Sequence, residues 1–441
     1  MGAAFPKALI QKGNIEVLRV IPLYKNIRNE MKYMNDFPVE TGFGYDSCVL
    51  KTDPENIEIP TCFIGNDRYF YRESIYGQED DNFRFFFFCK AVVEMLKYIP
   101  FEPDIIHAND WHTGFIPVYS RASLPHIKSV FTIHNFMYRG YIPANYAKEV
   151  FSQEELDVSG YPGHLDFLKA GIVCADKVTT VSPKYSKEIL QLSNEEKLWN
   201  FLKNSNKSIT GILNGIDTDR YNPENDRTVK YPYSGRNSDN KKKNKTLLRR
   251  ELNLPDVDIP LVAIVSRIEQ SKGIDLVIKA MEQFQNNEFQ LVVLGSGNKY
   301  YEGMLSALAD RRSDGVSVDF NYSFEKACKI YAASDIFVMP SSYEPCGIGQ
   351  LYAMRYGVVP IVNPVGGLWD TVVDFSINSD ESCGFHMTGY DSDALVNSLK
   401  KAISVYYTKN WSVLVANCMK KDWSWDNNVK EYIELYKGLI L

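Results

Sequence analysis

The chain has 441 residues, 45% of them hydrophobic and 24% charged, with a formal net charge of −6. That length suits two domains with a core each, and the acidic balance argues against a nucleic-acid partner, which wants a basic face. The eight cysteines, Cys48, Cys62, Cys89, Cys174, Cys328, Cys346, Cys383 and Cys418, form no CxxC pair and no metal-type spacing with histidine; they read as thiols of a reducing, cytosol-like interior, not a disulfide framework.

In chain order the pattern opens with a helix, where Ala3, Ala4, Ala8 and Leu9 follow Met1-Gly2 and Lys12-Gly13 end it. A strand follows at Val17–Ile21. In a doubly wound domain the first strand ordinarily precedes the first helix and lies in mid-sheet, so that strand is expected to be missing. Tyr45–Gly65, interrupted by Pro54 and Pro60, reads as an antiparallel excursion. The longest apolar run, Phe85–Cys89, sits among helically spaced Phe83, Phe87, Val92, Met95 and Leu96. It is far shorter than the roughly 18–20 residues of a membrane span and reads as a core helix. The 28 Tyr and 24 Phe are many, but aromatic rings both stack on sugars and fill cores, so their number alone decides nothing.

Strands at Ile105–His107, Ser129–His134, Lys177–Val181 and Ile209–Leu213 then alternate with longer amphipathic stretches. That alternation predicts a mostly parallel sheet with helices on both faces. Asp219–Asp258 breaks the pattern: it is rich in Asn, Asp, Pro and Ser, carries the run Lys241-Lys242-Lys243-Asn244-Lys245, and reads as a solvated connector followed by a short helix, Leu247–Leu252. A second alternation has strands at Leu261–Val265, Gln290–Leu294, Val316–Phe320, Ile336–Met339 and Val359–Val362. The chain closes with a helix, Asn427–Ile440, apolar at Val429, Tyr432, Ile433, Leu435 and Tyr436. The expected fold is α/β, two facing Rossmann-like domains with a cleft between them and ligands at the carboxyl ends of the strands.

Three loops of the second half carry candidate chemistry. Ser266-Arg267-Ile268-Glu269-Gln270-Ser271-Lys272-Gly273 follows the strand Leu261–Val265. Arg267 and Lys272 at a strand end suit a diphosphate and the charge that builds as it leaves; a solvated loop with two surface cations is the plain alternative. Tyr343-Glu344-Pro345-Cys346-Gly347-Ile348-Gly349-Gln350 follows Ile336–Met339 and opens a helix. Its glycines let backbone N–H groups approach a phosphate, and Glu344 can accept from sugar hydroxyls, although an acidic residue also favours a helix start. Val365-Gly366-Gly367-Leu368, with Asp370 and Thr371 beyond, is a third such turn after Val359–Val362. In the first half, His107-Ala108-Asn109-Asp110-Trp111-His112 follows a strand. His107, Asp110 and His112 match no standard zinc spacing, which leaves a polar strand end around a packed Trp or a sugar-facing wall. Thr132-Ile133-His134-Asn135 ends another strand, where a neutral His could bond a sugar hydroxyl or a developing charge.

Together these stretches resemble the glycogen/starch synthase family that uses ADP-glucose, retaining glycosyltransferases of the two-Rossmann (GT-B) fold. The matching segments are PKALIQKGNIEVLRVIPLY (Pro6–Tyr24), HANDWHTG (His107–Gly114), SVFTIHN (Ser129–Asn135), FLKAGIVCADKVTTVSP (Phe167–Pro183), GILNGID (Gly211–Asp217), SRIEQSKGIDL (Ser266–Leu276), EPCGIGQLYAMRYG (Glu344–Gly357) and GGLWDTV (Gly366–Val372). Their order and spacing run over nearly the whole chain.

The resemblance implies an N-terminal acceptor-side domain at 1–218, a linker and connecting helix at 219–258, a nucleotide-sugar-binding domain at 259–420 and a helix at 421–441 that crosses back to the first domain. It implies transfer of glucose from ADP-glucose to the non-reducing end of an α-1,4-glucan with retention of configuration. No metal or cofactor is implied beyond the donor, and no nucleic-acid or membrane partner. The catalytic set is Arg267, Lys272, Glu344, His134 and Asp110; the substrate-binding set is Asn135, Asn214, Tyr322, Cys346, Gly347, Gly366, Gly367 and Leu368, with Tyr322 placed to stack on the adenine. A cytoplasmic location is implied, and a plastid stays open because a missing N-terminus could carry a targeting segment.

Four departures from the family pattern stand out. The opening strand and its Lys-x-Gly-Gly-Leu loop, which supplies a donor-phosphate lysine, are absent. Asn109 stands where Asp or His is common, Val365 where Thr is usual, and Ser323-Phe324 replaces a more polar pair near the base. The missing loop supports an alternative: a non-catalytic glucan-binding or degenerate relative.

Overall fold

A computed structural model describes residues 2–440 apart from positions 3, 28–29, 42–43, 57, 193–195, 236–238, 286 and 376–379. Met1 and Ala3 of the expected opening helix lie outside the described residues; the helix runs Ala4–Gly13. The chain divides into two compact units. The N-terminal unit comprises Met1–Leu213 with Asn428–Leu441, and the C-terminal unit comprises Asn214–Asn427.

In the N-terminal unit, β1 (Arg19–Pro22), β2 (Lys32–Thr41), β3 (Gly44–Thr52) and β4 (Thr61–Gly65) form one sheet in the order β1-β4-β3-β2. β1 runs parallel to β4, and the other pairs are antiparallel. The excursion expected from Tyr45 thus begins earlier, at Lys32, and Pro54 and Pro60 fall between β3 and β4 where no ladder needs their missing N–H. A second sheet is wholly parallel: β5 (Ile105–Asn109) and β6 (Lys128–Ile133) pair with strands at Lys177–Thr180 and Ile209–Gly211. Three short strands lie between in sequence, β7 (Tyr141–Pro143), β8 (Gly160–Tyr161) and β9 (His164–Asp166), and form a small antiparallel sheet; the two strands after them are β10 (Lys177–Thr180) and β11 (Ile209–Gly211). Among the described residues β1 and β5 are edges of their sheets. The aromatic run is core: helix Asp81–Glu94 buries Phe85, Phe86, Phe87, Phe88 and Cys89.

The C-terminal unit is one six-stranded parallel sheet of β12 (Leu261–Val265), β13 (Gln290–Leu294), β14 (Val316–Asp319), β15 (Ile336–Met339), β16 (Val359–Val362) and β17 (Phe385–His386), in the order β14-β13-β12-β15-β16-β17. Alternate residues fill two cores: Val262, Ile264, Leu291 and Val293 pack on one face, and Leu261, Ala263, Val292 and Leu294 on the other. Strands buried on both faces read as continuous apolar runs, which is why four of the six match their expected limits. The strand order reverses between β12 and β15, a topological switch point where ligands of such sheets bind.

The reading of Asp219–Asp258 as a solvated connector is corrected. Its helix spans Asp239–Glu251, twice the length expected, and buries Lys241, Asn244, Lys245, Leu248 and Arg249. Lys245 pairs with Asp335 at 2.6 Å, and Arg249 Nε donates to Gln290 Oε1 at 2.7 Å. The basic run therefore docks this helix on the C-terminal unit; the lysine heads find carboxylate, carbonyl and phenol oxygens there while their stems pack. Among the described residues no helix is long and apolar enough to cross a membrane, and all eight thiols are buried and free.

Candidate active site

At the switch point of the C-terminal unit, two loops are stitched together. Gly273, with φ of 69°, closes the loop after β12. A Cβ there would lie 2.2 Å from Pro340 O at the end of β15, so only glycine allows the approach. Ser342 N–H donates to Ser271 O at 3.0 Å. This stitching brings Lys272 Nζ within 2.6 Å of Glu344 Oε2, with side chains only 16% and 10% exposed. Ser341 Oγ donates to the same oxygen at 3.0 Å, and Asn363 Nδ2 holds Ser341 O at 2.8 Å. Ser341 and Asn363 are supporting groups that sequence reasoning missed; only their position just past β15 and β16 marks them.

Arg267 stays on the exposed part of its loop, where Nη1 pairs with Glu269 Oε1 at 2.8 Å. Each cation of the pair thus rests on a carboxylate.

The two glycines of the third loop have a packing reason that the sequence does not display. A Cβ on Gly366 would lie 2.1 Å from Glu344 O, and one on Gly367 2.0 Å from Cys346 O. Gly367 N–H donates to Glu344 O and Pro345 O, both at 3.1 Å. The turn therefore lies directly on the backbone that carries Glu344. Leu368 is fully buried in the core beneath it. Val365 is the N-cap of helix Gly366–Thr371 and gives it no side-chain cap.

Cys346 and Asn214 are buried side by side. Burial pushes the Cys346 thiol up to about 12, opposed by hydrogen bonding from Asn214, so it is a neutral packing group and not a nucleophile. Gly347 adopts φ of 66°. Tyr322 is 57% exposed beyond β14, whereas Ser323 caps the following helix by accepting from Lys326 N and Phe324 packs on Tyr221 and Arg220.

In the N-terminal unit, Asp110 follows β5 in a left-handed conformation, φ 59°, where a non-glycine residue is strained. Its Oδ1 accepts from the backbone N–H of His134 at 2.7 Å and of Asn135 at 3.2 Å. The strain is offset by fixing the end of β6, so Asp110 orients the His134 segment. His134 Nε2 lies 3.0 Å from Asn109 Oδ1. Asn109 Nδ2 donates to His107 O at 3.4 Å, which sets the amide so that its carbonyl faces the ring. Nε2 then carries the proton and Nδ1 is left as an acceptor. Burial lowers the His134 pKa, with Asp110 opposing. Asn135 Oδ1 accepts from Met137 N at 2.9 Å.

His107 and His112 do other work. His107 Nδ1 meets Tyr436 OH and its Nε2 meets Thr132 Oγ1, each at 2.5 Å, tying the final helix to the parallel sheet. His112 stacks on Trp111 at 4.1 Å. Among the described residues no group of three or more His, Cys, Asp or Glu is placed to hold a metal ion.

Residues 1–204 match the family described as Starch synthase catalytic domain, and residues 245–410 match Glycosyl transferases group 1. A glycogen synthase of Clostridium novyi is 39% identical over 99% of this chain and 94% of its own. One from Moorella thermoacetica is 37% identical over 99% and 92%. Among solved structures, the catalytic domain of starch synthase IV from Arabidopsis thaliana, bound to ADP and acarbose, superposes with a TM-score of 0.91 at 29% identity, covering 99% of this chain and 94% of that one. A sucrose-phosphate synthase from Thermosynechococcus elongatus shares the fold, with a TM-score of 0.62 at 19% identity over 99% of this chain and 91% of that one.

Proposed function

The chain belongs to the glycogen and starch synthase family of glycosyltransferases, and from that premise we propose that it transfers glucose from ADP-glucose to the non-reducing end of an α-1,4-glucan with retention of configuration. The observation that carries the reading is the Lys272–Glu344 pair at 2.6 Å, set at the switch point of a parallel sheet, where nucleotide ligands bind.

Lys272 and Arg267 bind the donor diphosphate and stabilise its charge as the bond from glucose C1 to the phosphate oxygen breaks. The departing ADP takes the bonding electron pair. The acceptor O4 bonds to C1 from the face that ADP leaves, and its proton passes to the departing phosphate oxygen. Glu344, freed from Lys272 by the phosphate, accepts from glucose hydroxyls. The backbone around Cys346, Gly347, Gly366 and Gly367 lines the donor, and Leu368 and Asn214 support that backbone from beneath. Tyr322 offers its ring to the adenine, and aromatic stacking tolerates any purine face. His134, Asp110 and Asn135 orient sugar and acceptor, with neutral His134 presenting Nδ1 to a hydroxyl. The two cations meet the diphosphate charge with no metal.

The full-length identity to glycogen synthases does not favour the non-catalytic alternative. The test is incorporation of labelled glucose from ADP-glucose into a maltooligosaccharide primer, with Lys272→Met as the control. Transfer by the wild-type chain, reduced a hundredfold or more in the variant, supports the reading. A folded wild-type chain that binds maltooligosaccharide and transfers nothing overturns it.

A further inference from the structure

Gln350 is the second residue of helix Gly349–Arg355 and is fully buried. Its carboxamide nitrogen lies 3.2 Å from Cys346 O, 3.1 Å from Gly347 O and 3.1 Å from Thr371 Oγ1. Thr371 donates its only hydroxyl proton to Gly367 O at 2.6 Å, so toward Gln350 it can only accept. A continuous relay therefore runs from the loop that carries Glu344, through Gln350 and Thr371, to the glycine turn packed against that loop. The amide cannot flip, because its oxygen would then face two carbonyls.

The arrangement is not fully satisfied. Gln350 Oε1 is buried with no donor, and so is Asn214 Oδ1 beside Cys346. A buried acceptor without a donor carries its desolvation cost uncompensated. Two of them flank one four-residue loop. Positions that sacrifice stability in this way mark functional geometry.

We propose that Gln350 is a positioning residue of the donor site, fixing the Glu344–Gly347 loop to the Gly366–Leu368 turn in the register that sets Glu344 against Lys272. The proposal rests on the reading of these loops as the donor site.

Gln350→Met keeps the volume and removes the donors. Its fold is checked by thermal unfolding, ADP affinity by calorimetry, and kcat with the KM of each substrate by steady-state transfer from ADP-glucose to maltooligosaccharide. The expected result is a variant that still folds, with a Tm lowered because Cys346 O and Gly347 O lose their donor, a tenfold or greater loss of ADP affinity and of kcat, a tenfold or greater rise in the donor KM, and an unchanged acceptor KM. Gln350→Glu is expected to regain activity as pH falls, since a protonated carboxyl supplies one donor and a carboxylate supplies none. A folded Gln350→Met with wild-type donor KM and kcat within twofold overturns the proposal, as does a lower kcat with donor KM and ADP affinity intact, which is the mark of a merely structural role. Should Gln350→Met not fold, Thr371→Val breaks the other end of the relay. It is expected to show the same donor-selective loss, rescued by Thr371→Ser; wild-type values for Thr371→Val overturn the proposal. A wild-type chain that neither binds ADP nor transfers glucose fails at the functional reading itself and takes the proposal with it, whereas an active wild type beside an unaffected variant removes the proposal alone.

Discussion

Asn109 is a single side chain whose consequence can be followed to one proton. Its carbonyl oxygen lies 3.0 Å from His134 Nε2, and being neutral it does nothing to favour an imidazolium ring. Burial lowers the His134 pKa, so the ring is neutral at pH 7 and Nδ1 remains an acceptor. An aspartate at 109 would place a carboxylate at hydrogen-bond distance, and an opposite charge that close favours the charged form by roughly 1–3 pKa units. Asn109→Asp is therefore expected to raise the His134 pKa above its wild-type value and to move the acidic limb of the pH–rate profile upward. NMR titration of His134 in wild type and variant measures this. An unmoved pKa would show that the ring does not face residue 109 in solution. Asp110 stands in a different relation to the same ring. Its bonds are to the backbone of His134 and Asn135, so its effect is on where the imidazole stands.

At the scale of elements, the basic helix Asp239–Glu251 shows how one long side chain can finish two others. Lys241 Nζ lies 3.1 Å from Tyr331 O, 3.3 Å from Ala332 O and 3.0 Å from Tyr356 O. These carbonyls belong to the last turn of helix Phe324–Ala333 and the C-cap of helix Gly349–Arg355, where helices leave acceptors unsatisfied. One ammonium thus caps two helices, against a burial cost that lowers its pKa to about 7. Lys241→Met is expected to lower stability by about 1–3 kcal/mol, the cost of stranding buried acceptors, with little change in m-value; urea unfolding reads it, and a variant as stable as wild type would assign the capping to other groups. This helix also marks the limit of what the sequence displays. The strands β12, β13, β15 and β16 were legible to the residue because burial on both faces writes an apolar run, and the motif residues Lys272 and Glu344 were legible because they follow such strands. A lysine run carries no sign of whether carbonyls wait at the far end of its side chains, so the docking of Lys241 and Lys245 was not legible. Nor were the mutual pairing of Lys272 with Glu344 and the packing role of Gly366 and Gly367, because each depends on loops that approach only after the sheet has formed.

At the scale of the whole molecule, the chain is two units of different titration behaviour. The N-terminal unit holds three histidines whose pKa values burial depresses: His107 to about 3, His112 to about 4, and His134 downward as well. Both ring nitrogens of His107 are engaged by hydroxyls, Tyr436 and Thr132, a pattern that a neutral ring satisfies with one donor and one acceptor, and Thr132 in turn meets Thr179 at 2.6 Å. Protonation would put a second donor into that network. The sign of the linkage follows from proton counts. Between the depressed folded values and the unfolded value of about 6.5, the unfolded state binds more protons, so stability rises with pH across that window. The contribution is complete above about pH 6.5 and is lost as pH falls toward 3, at about 1.4 kcal/mol per pH unit for each histidine fully in its window. Chains of two units need not melt in one transition. Scanning calorimetry from pH 7 to pH 4 is therefore expected to resolve two transitions, with that of the N-terminal unit falling faster. His107→Gln, which keeps one donor and one acceptor in the ring's place but cannot take up a proton, is expected to shallow that fall while leaving the other transition where it was. Parallel decline of both transitions, or a His107→Gln profile with the wild-type slope, would place the acid sensitivity in the carboxylates shared by the two units instead.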